Sequence, residues 1–146
     1  MCLQGLPLTL AELFSANQAL FEGLAADERW DWSRPYPALR LSFGGSVVHT
    51  PAELEAKIRE QLALNQSELG IRCEQPTIAG AFAELIRKTH AKASERVVVL
   101  VDEYDKPILD NLLEAETARR LRDGLRNLYS VIKDSDAHIR FAFQIG

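Results

Sequence analysis

Cysteine is nearly absent from the chain: Cys2 and Cys73 are the only two in 146 residues. Two thiols so far apart form no disulfide framework and no zinc-ligand spacing. That usage fits a reducing compartment, and the cytoplasm is the expected location. No apolar run comes near the roughly 20 residues that a membrane-crossing helix needs. Met1–Leu13 has no basic stretch before Glu12, so it does not read as a secretion signal. Positive charge is not in excess either. The formal net charge is −4, which gives no global attraction for nucleic acid or anionic lipid. Internal repeats, low-complexity tracts and linkers are also missing. His49, His90 and His138 lie far apart with no carboxylate or thiol at ligand spacing, so metal binding through them is not expected.

What remains is an ordinary globular composition, 47% apolar and 26% charged. Its length suits one hydrophobic core, so residues 1–146 read as a single domain. Leu10, Leu13, Phe14, Leu20, Phe21 and Leu24 recur mostly at helical spacing and predict an N-terminal helix. Asp27–Pro37, with Trp30 and Trp32, reads as a loop that packs over a sheet edge. Ala38–Phe43 alternates, with Leu39, Leu41 and Phe43 facing one way, as in a strand with one buried side. Gly44-Gly45-Ser46 ends it, as a flexible turn or a small anion nest. Thr50-Pro51-Ala52-Glu53 carries a capping box and proline at the first helical position; Leu54, Ile58 and Leu62 supply the stripe, and Gly70 the stop. A second helix starts near Thr77, with Ile78, Phe82, Leu85, Ile86 and Thr89 on one face. Val97–Val101 is wholly apolar and predicts a strand covered on both sides. Leu121, Leu125, Leu128 and Ile132 mark another helix, and Ile139–Ile145 a last strand. Strands separated by helices predict a three-layer α/β fold with a parallel sheet.

The chemistry-bearing stretch follows the valine run: Asp102-Glu103-Tyr104-Asp105-Lys106-Pro107. Ligands of parallel α/β sheets bind beyond the carboxyl ends of the strands. A carboxylate there can hold magnesium against nucleotide phosphates, and a second one can orient and deprotonate an attacking water. An apolar strand ending in Asp-Glu is the Walker B pattern of ATP-hydrolysing P-loop proteins. A solvated turn after a buried strand would carry the same residues. Arg119, Arg120, Arg122 and Arg126 share one helix and read as a solvated face paired with Glu114, Glu116 and Asp123.

The run from Val97 through Asp102-Glu103-Tyr104-Asp105-Lys106-Pro107 to Asp110 resembles the signature of the AAA-ATPase-like family, whose members are often joined to a PD-(D/E)XK nuclease-like domain. Ala19–Ala25, Tyr36–Phe43, Leu128–Asp134 and Ile139–Phe143 are similar to that family too, so the resemblance covers about Leu8 to Gly146. It implies an AAA-like P-loop fold, with Mg2+ and ATP as cofactors. Asp102 would be the magnesium-associated aspartate and Glu103 the water-activating glutamate. Asp105 would lie near the bound cofactor, adding charge beside the metal or capping the next turn.

The chain departs from that family in one essential. Nowhere does it contain Gly-x-x-x-x-Gly-Lys-Ser/Thr, the loop whose amides and lysine cradle phosphates. Met1–Pro7 stands where that loop is expected, and Gly5 alone does not replace it. At the far end, Phe143-Gln144-Ile145-Gly146 departs from the family's Phe-Leu-Thr-Gly; Gln144, not Ile145, could reach a phosphate or water. The expectation is a partial domain without its first strand and phosphate loop, binding nucleotide weakly and inactive alone. Ile139–Ile145 would present an unpaired edge open to self-association or a protein partner. A non-catalytic interaction remnant is the alternative, and a metal-dependent nuclease using Asp102, Glu103 and Asp105 a further one.

Overall fold

The computed structural model describes residues 6–146; Met1–Gly5, with Cys2 and Gly5 and most of the Met1–Pro7 stretch expected in place of a phosphate loop, lie outside the described residues. The chain runs α1 (Leu6–Phe14), a 3-10 turn (Gln18–Phe21), α2 (Ala25–Arg29), β1 (Ala38–Ser42), α3 (Pro51–Leu69) and α4 (Ile78–Ala93). It continues with β2 (Val97–Asp102), α5 (Lys106–Leu109), α6 (Ala115–Asp134), a second 3-10 turn (Asp136–His138) and β3 (Ile139–Ile145). The strands form one parallel sheet in the order β1-β2-β3. Among the described residues no helix is long and apolar enough to cross a membrane.

The valine run is the centre of the molecule, and all six residues of β2 are buried. Val97, Val99 and Val101 join Leu39, Leu41 and Phe43 of the β1 region in a core closed by Leu54 and Ile58 of α3, Phe82 and Leu85 of α4, and Leu121, Leu125 and Leu128 of α6. Val98 and Leu100 point the other way, onto Phe14 of α1 and the half-buried Trp30 and Tyr36. Two apolar faces on one strand account for the three layers. The helix signals act as expected. The Thr50 hydroxyl accepts the Glu53 N–H and the Glu53 carboxylate accepts the Thr50 N–H, while Gly70 closes α3 in the left-handed conformation.

The N-terminal helix is shorter than its periodicity suggests. It ends at Phe14, where Ala16 turns to φ 60° and Asn17 donates its side-chain amide to Glu12. Phe14 and Phe21 are buried, but Leu20 and Leu24 are left exposed. A helical turn, α2, occupies part of the expected Asp27–Pro37 loop.

The two sheet edges are treated differently. Along β1, the buried Asn65 of α3 accepts the Arg40 N–H at 2.9 Å and donates to the Arg40 carbonyl at 2.8 Å. Gln61 of α3 accepts the Ser42 N–H at 3.1 Å. Side-chain amides thus stand in for a neighbouring strand and close that edge. Beyond β3 no strand pairs among the described residues, and Phe141 remains 44% exposed.

The α3–α4 connection is held by Gln66, Arg59 and Lys88, which bond to Cys73, Pro76 and Arg72, and by one buried carboxylate. Glu84 of α4 pairs with Lys88 at 2.7 Å and accepts the N–H groups of Glu74 at 2.8 Å and Gln75 at 3.0 Å. Lys88 first, then those two N–H groups, hold the Glu84 carboxyl down at about 2 against an ordinary 4.5. A depressed carboxyl stabilises the fold above its unfolded value and loses that contribution on protonation. The thermal midpoint is therefore expected to fall as pH drops from about 4.5 towards about 2. Glu84→Gln should flatten that stretch of the pH profile; an unchanged slope would contradict the role.

Candidate functional site

The sheet register brings three strand ends level. Ser42 of β1 pairs with Asp102 of β2, and Asp102 pairs with Ile145 of β3. The acidic pair therefore stands at the carboxyl rim, on the central strand. The Asp102 carbonyl accepts the Phe43 N–H at 3.1 Å, which extends the ladder past β1. Asp102 is only 7% exposed, yet its carboxylate has no hydrogen-bond or ion-pair partner among the described residues. Its oxygens are not among the buried polar atoms that lack a partner, so they meet solvent at the rim, where a hydrated divalent cation has access to them.

Glu103 leaves the strand with φ 50°, a left-handed conformation that costs a non-glycine residue about 1 kcal/mol. Its neighbours impose that turn. The Tyr104 N–H donates to the Ile145 carbonyl at 3.2 Å, and the Lys106 N–H to the Glu103 carbonyl at 3.2 Å. The Tyr129 hydroxyl of α6 donates to the Tyr104 carbonyl at 3.1 Å, and the two tyrosine rings meet edge to face. Burial first, then the charges of Tyr104 and Asp105, push the Tyr129 phenol well above its ordinary value, so it remains a donor. The turn swings the Glu103 carboxylate over Gly44, where an added Cβ would lie 3.2 Å from Oε2. A side chain at position 44 would thus press on the Glu103 carboxylate, and Lys57 of α3 fixes that loop by donating to the Gly44 carbonyl at 2.9 Å and Ser46 Oγ at 3.2 Å.

Asp105 goes the opposite way. Its carboxylate lies beside Gly146, where an added Cβ would sit 3.2 Å from Oδ2. Its carbonyl starts α5, but its side chain makes no capping hydrogen bond. Lys106 pairs with Asp110, which keeps its ammonium engaged along α5. Behind them the buried Asn111 donates to the carbonyls of Val48 at 2.6 Å and Pro107 at 2.8 Å and meets His49 Nδ1 at 3.2 Å. That amide ties the loop after β1 to the helix after β2. Asp102, Glu103 and Asp105 fan out over three strand ends, and among the described residues no three acidic, histidine or cysteine side chains form a group able to hold a metal.

Of the lesser candidates, Arg119 and Arg120 pair with Glu116, as a solvated face would. Glu114 and Asp123 form no close ion pair among the described residues. Trp30 packs edge-to-face on Phe14 beneath the sheet's second face, and Trp32 donates to the Asp27 carbonyl beside Phe21. His90 and His138, distant in sequence, meet Nδ1 to Nδ1 at 2.9 Å, one imidazole donating to the other. Gln144 is exposed at the tip of β3 and Ile145 is buried.

A family model described as "Predicted AAA-ATPase" matches residues 6–146. A relative from Azotobacter chroococcum mcd 1, called an uncharacterized protein in the vnfD 5' region, is 62% identical over 138 residues. Those residues are 94% of this chain and 27% of the relative, so the chain spans about a quarter of that protein's length. No solved structure matches the chain.

Strain at Glu103 can be tested directly. Asparagine tolerates the left-handed region better, so Glu103→Asn should raise the unfolding free energy by about 1 kcal/mol in denaturant titrations. A loss of stability would show that Glu103 is held by favourable contacts instead.

Proposed function

The chain belongs to the AAA-ATPase-like family, and from that premise we propose that residues 1–146 are one partial P-loop ATPase domain carrying the metal-and-water half of an ATP site. The observation that supports this reading is the unpaired carboxylate of Asp102, which meets solvent at the carboxyl rim of the buried central strand with Glu103 next to it. Asp102 is the magnesium-associated residue, acting through the ion's waters. The ion, when bound, neutralises charge on the transferred phosphate. Glu103, held over Gly44, orients the attacking water and accepts its proton. Asp105 adds negative charge at the β3 end of the same rim.

The phosphate cradle is the missing part. These 146 residues contain no Gly-x-x-x-x-Gly-Lys-Ser/Thr, and carboxylates without a counter-ion repel phosphate. The chain by itself binds Mg-ATP weakly and does not turn it over. Mn2+ serves as the probe, with affinity on the order of a millimolar for so few protein ligands. It should raise the thermal midpoint of the wild type and not that of Asp102→Asn, while Asp102→Asn without metal stays as stable as the wild type. A Mn2+ response retained by Asp102→Asn would refute the assignment, and ATP turnover lost in Glu103→Gln would refute the inactivity.

A second reading rests on the asymmetry of the sheet. Because α3 closes the β1 edge and β3 stays open with Phe141 exposed, the β3 edge is a place for a further strand, from a partner or from a longer polypeptide. A nuclease built on the three carboxylates has less support, because they diverge across the rim.

A further inference from the structure

A cleft of about 400 Å3 opens between α5 and α6, beside the turn that follows β2. Its floor is apolar, made by Ile108, Leu125 and the rings of Tyr104 and Tyr129. Its rim is cationic: Arg122, Arg126 and Lys133 line it, and none has an ion-pair partner among the described residues. In a chain of net charge −4, a basic rim over an apolar floor selects an occupant that is apolar and acidic together.

The same chain displays such an element. The segment between α5 and α6 exposes Leu112 at 62% and Leu113 at 102%, next to the exposed Leu109. Glu114 and Glu116 follow at once, so three solvent-facing leucines lead into two acids. Apolar clusters of this kind on a small surface mark contact sites. Within one copy the knob does not enter the cleft, since Leu112 and Leu113 stay exposed. The far part of the cleft, at Arg126, lies thirteen residues beyond Leu113, roughly 20 Å along the helix.

We propose that two copies of the chain associate reciprocally, the Leu112–Glu116 knob of each entering the α5–α6 cleft of the other. A two-fold axis crossing antiparallel α6 helices satisfies both contacts at once, because each copy carries knob and groove. Glu116 of one copy then exchanges its exposed, weakly held partners Arg119 and Arg120 for Arg126 of the other, and Leu113 covers the apolar floor beside Tyr129. This contact is independent of the ATPase reading and lies off the β3 edge.

The test is sedimentation velocity across a protein concentration series. The wild type should shift from monomer to dimer. Arg126→Glu and Glu116→Arg, both at exposed positions, should each remain folded by circular dichroism and monomeric. Mixing the two should restore the dimer, since each contact then pairs opposite charges. Leu113→Asp should abolish the dimer, and Phe141→Lys on β3 should leave it intact. A wild type that stays monomeric throughout overturns the proposal. So does a dimer that survives both charge reversals, or one that only Phe141→Lys dissolves.

Discussion

The complete burial of β2 on both faces is the constraint from which the rest follows. Five consecutive apolar residues need two covers, so α3, α4 and α6 collect on one side and α1 with its aromatic loop on the other. The same burial carries Asp102 to the point where the sheet ends and solvent begins. A carboxylate placed there sits on a buried backbone, meets solvent at its oxygens and has no protein partner among the described residues. Moving that aspartate one residue back would bury a charge in the core; one residue forward would leave it in a solvated turn.

Much of this was legible in the residues. The valine run, the Thr50 capping box, the Gly70 stop and the alternation of Leu39, Leu41 and Phe43 each report a local rule, and each element formed where its rule placed it. The position of Asp102 and Glu103 at the carboxyl rim follows from parallel topology alone. The break after Phe14 was not legible, because the spacing of Leu20 and Leu24 continues the helical period while Ala16 turns away from it. Nothing in an alanine announces a left-handed conformation.

The supports of the site were also hidden, for a different physical reason. Gly44 under Glu103, Lys57 on the Gly44 carbonyl, Tyr129 on Tyr104 and Asn111 on Val48 act across long sequence separations. Each looks ordinary in its own segment: a turn glycine, a surface lysine, a tyrosine on a helix stripe, an asparagine after a short helix. Asn65 and Gln61 read as polar filler on α3 until the edge of β1 is laid against them. Long-range polar pairing leaves no period in the chain. The left-handed turn at Glu103 belongs to the same class, since it is imposed by Ile145 and Tyr129 rather than by its own residue type.

A left-handed turn at Glu103, an unpaired carboxylate at Asp102 and the close approach of Glu103 to Gly44 converge on one small stretch of the rim, and that convergence is the central claim. Paramagnetic broadening of the amide NMR spectrum by Mn2+ tests it most directly, because the effect falls steeply with distance from the ion. The account requires the earliest losses at the amides of Gly44, Glu103 and Gly146, the three strand ends around Asp102. Losses centred on another acidic surface, such as the Glu114–Glu116 segment, with the rim untouched, would contradict it.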